Sequence, residues 1–132
     1  MTPQDYRFRK YHRLHKKKEI KNVFDSGKSI ANKNFVIYFK ENNLWYSRIC
    51  IIISKKTIKK SARRNYIRRV IREYFRLNRH RLIAAFDLIF ILRKDFELEK
   101  YSDIENSLNR LFAHNRLMMV LDKKTDVAKK DN

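Results

Sequence analysis

From Ser61 to about Leu77 the chain carries two patterns at once, and few folds can satisfy both. At about 100° per residue, Ala62, Tyr66, Val70 and Tyr74 fall in one row and Ile67, Ile71 and Phe75 in the next, so one side of a helix is apolar. Asn65, Arg68, Arg69, Arg72 and Arg76 fall on the opposite side. Such a helix needs an apolar partner for one face and room for dense positive charge on the other. Ser61 stands where an N-cap is expected. The loop Lys55 to Lys60 leads into the helix N-terminus, where unpaired backbone N–H groups add to the attraction for anions. Residues 55–81 hold 12 Lys or Arg and a single acid, Glu73. Cations at that density repel one another, and a polyanion that takes up their charge in the working complex accounts for them best.

The whole chain has the same bias: 33 basic against 14 acidic side chains, a formal charge of +19. Nucleic acid is the expected partner. A membrane span needs about 20 consecutive apolar residues, and no apolar run is longer than that from Ile49 to Ile53. Lys, Arg and His crowd the first 21 residues in place of a signal-peptide h-region, so a cytoplasmic location is expected. Cys50, the one cysteine, can form no internal disulfide and lies in an apolar run, where it reads as a small core residue. A disordered basic tail is excluded, because 43% of the residues are hydrophobic, with nine Phe and seven Tyr.

The 132 residues fit one core. Residues 1–16 read as an extended basic arm, 17–121 as a single RNA-binding domain and 122–132 as a polar tail. Ile20, Val23 and Phe24 predict a short helix over Lys17 to Asp25, with Gly27 at the stop. Asn34 to Lys40 and Trp45 to Ser54 read as strands, joined as an antiparallel hairpin through Glu41-Asn42-Asn43. Asp87 to Leu92 is a third strand. Ile104, Leu108, Leu111, Phe112 and Met119 predict a last helix over Ser102 to Val120, opened by a Ser102–Glu105 capping box. The order helix, strand, strand, basic helix, strand, helix describes a two-layer α/β sandwich with a small central sheet.

A protein active site does not emerge from the pattern. His12, His15, His80 and His114 have no zinc-like spacing, no Gly-rich stretch could cradle a nucleotide, and Asp87 and Asp95 read as strand-end polarity. His12 and His15, in the arm, are expected to meet phosphate or solvent. If the chain takes part in catalysis, a partner supplies the reactive centre. A strand, rather than a helix, precedes the basic helix, which disfavours a helix-turn-helix and so favours RNA over DNA.

Lys55-Lys56, Lys60-Ser61-Ala62, Arg64-Asn65, Arg68-Arg69 and Arg72-Glu73 closely resemble the basic signature of the bacterial ribonuclease P protein component. The likeness extends through Arg13-Leu14, Val23-Phe24, Gly27-Lys28-Ser29, Phe35-Val36-Ile37-Tyr38, Ser54, Leu108 and Leu111-Phe112, over residues 13 to 115. The resemblance implies a left-handed βαβ crossover and an accessory role, in which the protein binds the catalytic RNA and the 5′ leader of precursor tRNA. It further implies that magnesium ions held mainly by the RNA perform the cleavage, so that no catalytic or metal-ligating side chain, no membrane and no obligate protein partner are expected. By matching position, Lys55, Lys56, Lys60, Arg64, Asn65, Arg68, Arg69, Arg72 and Arg76 carry RNA contacts, and Ile20, Phe24, Val36 and Tyr38 line the leader cleft. Four residues depart from the family pattern. Tyr66 replaces a third basic residue, whose contact is lost or passes to Arg63. Ile20 stands where a second cleft aromatic is common, Cys50 where Gly is usual, and Ile52 where a small polar residue is frequent. The alternatives are a ribosomal-type RNA-binding protein with no role in cleavage, a DNA-binding regulator and an autonomous nuclease.

Overall fold

The run Leu88-Ile89-Phe90-Ile91-Leu92 can be buried on both faces only inside a covered sheet. The computed structural model, which describes residues 7–119, places it there. The chain forms α1 (Lys17–Ser26), β1 (Lys28–Ala31), β2 (Phe35–Glu41), β3 (Arg48–Ile52), α2 (Ser61–Asn78), β4 (Phe86–Leu92) and α3 (Tyr101–His114), with single 3-10 turns at Lys10–His12 and Arg79–Arg81. The sheet order is β1-β2-β4-β3. β2 runs antiparallel to β1 and β4, whereas β3 is parallel to β4 and joined to it through α2.

The mixed α/β architecture matches the expectation, and both the basic helix and α1 form where the periodicity puts them. The expected hairpin between β2 and β3 does not. β4 lies between those strands, because its nearly unbroken apolar run gains most from burial on both faces, and β2 pairs instead with β1. β1, Lys-Ser-Ile-Ala, has too little apolar alternation to announce itself. The cap at α2 is Lys60, with Ser61 already inside the helix, and α3 starts after Lys100 without a side-chain cap, so neither the Ser61 cap nor the Ser102–Glu105 box forms. α3 also stops at His114: Arg116 takes a left-handed φ of 60°, and Leu117 and Met118 turn back into the core, Met118 bridging Leu82. Residues 1–6 of the arm, Val120 and Leu121, and the 122–132 tail lie outside the described residues.

The main core lies between one sheet face and α2 with α3, where Phe35, Ile37, Leu88 and Phe90 meet Ile67, Ile71, Tyr74, Leu108 and Phe112. A smaller core of Leu14, Val23 and Ile89 fastens α1 to the other face. Gly27 ends α1 in extended backbone, φ −88° and ψ −174°, so left-handed freedom is not its purpose. A Cβ there would stand 2.5 Å from the carbonyl oxygens of Phe39 and Val23, and close approach to β2 demands the glycine.

The described part of the arm is structured. Arg13 bridges Ile49 in parallel register and the Leu14 N–H donates to the Ile49 carbonyl at 2.8 Å, which covers the free edge of β3. His12 is buried, accepts from the Arg9 N–H at Nδ1 (2.9 Å) and packs edge-on against Phe75 and Tyr46. The expected phosphate or solvent contact is thus replaced at His12 by a packing role.

Asp87, read from sequence as strand-end polarity, is buried. Arg48 grips it with two parallel bonds, Nε to Oδ1 at 2.8 Å and Nη2 to Oδ2 at 2.7 Å, and reaches Glu19 of α1 through Nη1 at 3.2 Å. The hydrogen bond to Asp87 is the main reason the Arg48 guanidinium holds its proton more tightly than usual. The clamp joins β3, β4 and α1. Arg48→Met leaves the Asp87 carboxylate buried without its cation and is expected to cost about 3–5 kcal/mol in urea unfolding. Arg48→Met with Asp87→Leu should recover most of that loss; a double variant as unstable as the single one would refute the pairing argument.

Candidate nucleic-acid interface

Burial of Ile67, Ile71, Tyr74 and Phe75 fixes the rotation of α2 and turns its cationic side outward. Arg68 and Arg72 reach the rim of β3, where with Arg13 and His15 they line a cavity of about 330 Å³ whose apolar wall includes Ile20 and Cys50. Among the described residues, Arg68, Arg69 and Arg72 have no carboxylate partner. Burial, and then the neighbouring Arg13, Arg68 and Arg69, make the Arg72 proton easier to lose than usual. The fold therefore holds cations together against their repulsion, in the manner of an anion site.

The other expected RNA contacts divide by geometry. Lys55, Lys56 and Lys60 are exposed in the loop before α2, a turn held by Ser54, whose Oγ accepts from the Lys56 N–H at 2.9 Å. Asn65 and Arg69 are exposed on the helix. Arg64 is half-buried, and its Nη1 donates to the carbonyls of Ile58 and Lys59, both at 2.8 Å, so it braces the loop that presents the lysines. Arg76 is paired with Glu73, Nε to Oε1 at 3.1 Å and Nη2 to Oε2 at 2.6 Å. That bond holds the Glu73 carboxyl below its ordinary range. Tyr66 lies between the guanidinium groups of Arg63 and Arg69, 5.4 and 5.9 Å from its ring centre. Arg63 also donates to the Leu98 carbonyl at 2.9 Å, which holds it toward the segment before α3.

Ile20, Phe24, Val36 and Tyr38 lie where α1 crosses the sheet. Phe24 meets Tyr38 edge to face with centroids 4.8 Å apart, and is 37% exposed although it sits on a packed helix. Tyr38 is half-buried against the small core. Val36, Ile91 and Ile52 occupy one register row across β2, β4 and β3, and Ile52 is 38% exposed. An apolar and aromatic trough thus adjoins the arginine-lined cavity, with Ile20 common to both. The departures are absorbed locally: Cys50 lines the cavity with its thiol pKa pushed up by burial, and Ile52 extends the apolar row. Sequence reasoning did not place Arg13 at this site. No local pattern reveals it, because its position comes from pairing with Ile49.

Among the described residues no group of three or more His, Cys, Asp or Glu could hold a metal ion, and no helix is long and apolar enough to cross a membrane. A family model described as Ribonuclease P matches residues 8–116. The chain is 36% identical over 108 residues to the ribonuclease P protein component of Chromobacterium violaceum, covering 82% of this chain and 88% of that one. It is 38% identical over 109 residues to that of Fusobacterium nucleatum, covering 80% and 97%. Among solved structures, the Staphylococcus aureus RNase P protein superposes with a TM-score of 0.73 at 30% identity, over 81% of this chain and 97% of that one. The Thermotoga maritima protein, in complex with 1-(4-fluorophenyl)-2-thiourea, does so with 0.67 at 35% identity, over 75% and 96%.

Three measurements follow from the geometry. Sulfate should raise the melting temperature more than chloride at equal ionic strength, by binding the native state; Arg68→Ala with Arg72→Ala should abolish the difference attributable to the cavity, leaving only the general salting effect. An undiminished sulfate response in that variant would move the anion site elsewhere. In RNA titrations, Arg68→Ala should weaken binding and reduce the salt slope by about one unit. Arg64→Ala should chiefly lower folding stability, by about 1 kcal/mol.

Proposed function

This chain belongs to the ribonuclease P protein family, the protein subunit of the enzyme of tRNA 5′ processing, and from that premise we propose how its two surfaces divide the work. The arginine face of α2 binds the catalytic RNA. The trough of Ile20, Phe24, Val36 and Tyr38 receives the 5′ leader of precursor tRNA. The observation that carries the reading is their juxtaposition: Arg68 and Arg72, which have no carboxylate partner among the described residues, line a cavity that shares Ile20 with the trough of the Phe24–Tyr38 pair. The cations screen phosphate repulsion, and rings and aliphatic side chains pack against bases without demanding one sequence, as a subunit serving many precursors needs. In keeping with the family resemblance, the reading assigns the magnesium ions to the RNA, where they would supply the chemistry of cleavage. What this chain contributes is binding and orientation. The complex works in the cytoplasm, and the ribosomal-type alternative is set aside by the family membership.

With purified catalytic RNA and precursor tRNA at low magnesium, the protein should strongly stimulate leader removal over RNA alone. No stimulation with a folded cognate RNA would defeat the proposal. Tyr38→Ala should lower affinity for leader-bearing precursor more than for mature tRNA, by about fivefold or more if one base contact is lost. Equal losses for both would remove the leader from the trough.

A further inference from the structure

Tyr11, Trp45 and Tyr46 belong to neither core and to neither surface above. Their rings cluster all the same: Tyr11 to Tyr46 is 4.5 Å between centroids, Trp45 to Tyr46 4.8 Å and Tyr11 to Trp45 5.3 Å. Trp45 is 78% exposed, so its indole adds little to folding, and an exposed ring of that size invites a ligand. The loop that carries it is fixed. Asn43 is held at φ 58°, the Asn42 side chain accepts from the Leu44 N–H at 2.9 Å, and its Nδ2 donates to the Tyr46 carbonyl at 3.1 Å and to Asp87 Oδ1 at 2.8 Å. The Arg48–Asp87 clamp thereby anchors the aromatic loop.

The rings border a cavity of about 320 Å³, floored by Ser47, Ala84 and Ala85 and flanked by Arg79 and His80. None of its lining residues is acidic. Arg79 directly follows α2, so the cavity lies at the C-terminal end of the cationic helix. The helix is about 27 Å long, a reach that a few nucleotides of extended strand can cover. Lys10, exposed on the segment that brings Tyr11, adds positive charge to the approach.

We propose that Tyr11, Trp45 and Tyr46, with Arg79, form a stacking site for an unpaired nucleotide of an RNA strand that follows α2, the base on the rings and a phosphate beside Arg79. The inference rests on the RNA-binding reading and adds a second base contact, at the opposite end of the helix from the Lys55–Lys60 loop. Bases of any identity fit such a platform, because each has a π face.

Trp45 is the sole tryptophan, so its emission reports on the site directly. The full-length protein is titrated with a short oligoadenylate and with an abasic oligonucleotide of equal length, binding being followed independently by anisotropy of a labelled strand. Stacking predicts quenching by oligoadenylate alone. Trp45→Ala, at an exposed position, should keep its melting temperature yet bind oligoadenylate about tenfold more weakly with an unchanged salt slope, and Trp45→Phe should retain most of the affinity. Separate titrations with catalytic RNA, precursor tRNA and mature tRNA identify which strand supplies the base. Oligoadenylate binding with unaltered emission, equal quenching by the abasic strand, or unchanged affinity in Trp45→Ala would overturn the stacking site and leave the RNA-binding reading standing. Failure of every RNA to bind would remove both. Self-association that Trp45→Ala abolishes, with oligoadenylate affinity intact, would reassign the rings to a second copy of the chain and overturn the site.

Discussion

The two-sidedness of α2 governs the molecule. Its apolar side can be buried only on a sheet face, and once Ile67, Ile71 and Tyr74 are seated there the helix has no rotational freedom left. The arginines are then committed to the opposite side, with Arg68 and Arg72 at the rim of β3. Packing thus sets the direction of the charge. A helix held by charge contacts alone would have no such register, because long cationic side chains in water select no single rotation.

The cost of gathering cations is met by construction elsewhere. Arg64 braces the loop before α2 through Nη1, and Arg76 is paired with Glu73, which offsets one of the positive charges along the helix. Arg48 is withdrawn altogether into its buried pair with Asp87. That pair does structural service twice, tying β3 to β4 and, through Asn42, holding the loop of Trp45 and Tyr46. Cations that look alike in sequence therefore have distinct settings: bracing a loop, holding the sheet, or standing on α2 without a carboxylate partner among the described residues.

What the sequence made legible was local. The 3.6-residue rows of α2 and α1 and the apolar runs of β2 to β4 carry their own periods, and the cationic side of α2 follows from the same geometry. The motif from Lys55 to Glu73 pointed to the family. Strand order was not legible, because β2 and β3 are each compatible with a hairpin and only competition for the centre of the sheet gives the place to β4. β1 was invisible for want of alternation, and the Ser61 and Ser102 caps failed because a polar residue near a helix start satisfies the pattern without occupying the cap. Arg13, the burial of His12 and the ring cluster depend on residues far apart in sequence. Tyr11 meets Trp45 only after the arm has folded against β3.

Among the described residues β4 is the last strand and yet an inner one in the sheet. During synthesis the β1–β2 hairpin can close early, but β2 keeps one open edge and β3 has neither its strand partner nor its parallel register until residue 92 is available. A growing chain must carry an unfinished apolar surface for most of its length, and pairings so distant in sequence are slow to close. Its excess positive charge then has a use before any substrate is met. At a formal charge of +19, copies of the chain repel one another, which opposes pairing of such open edges between molecules.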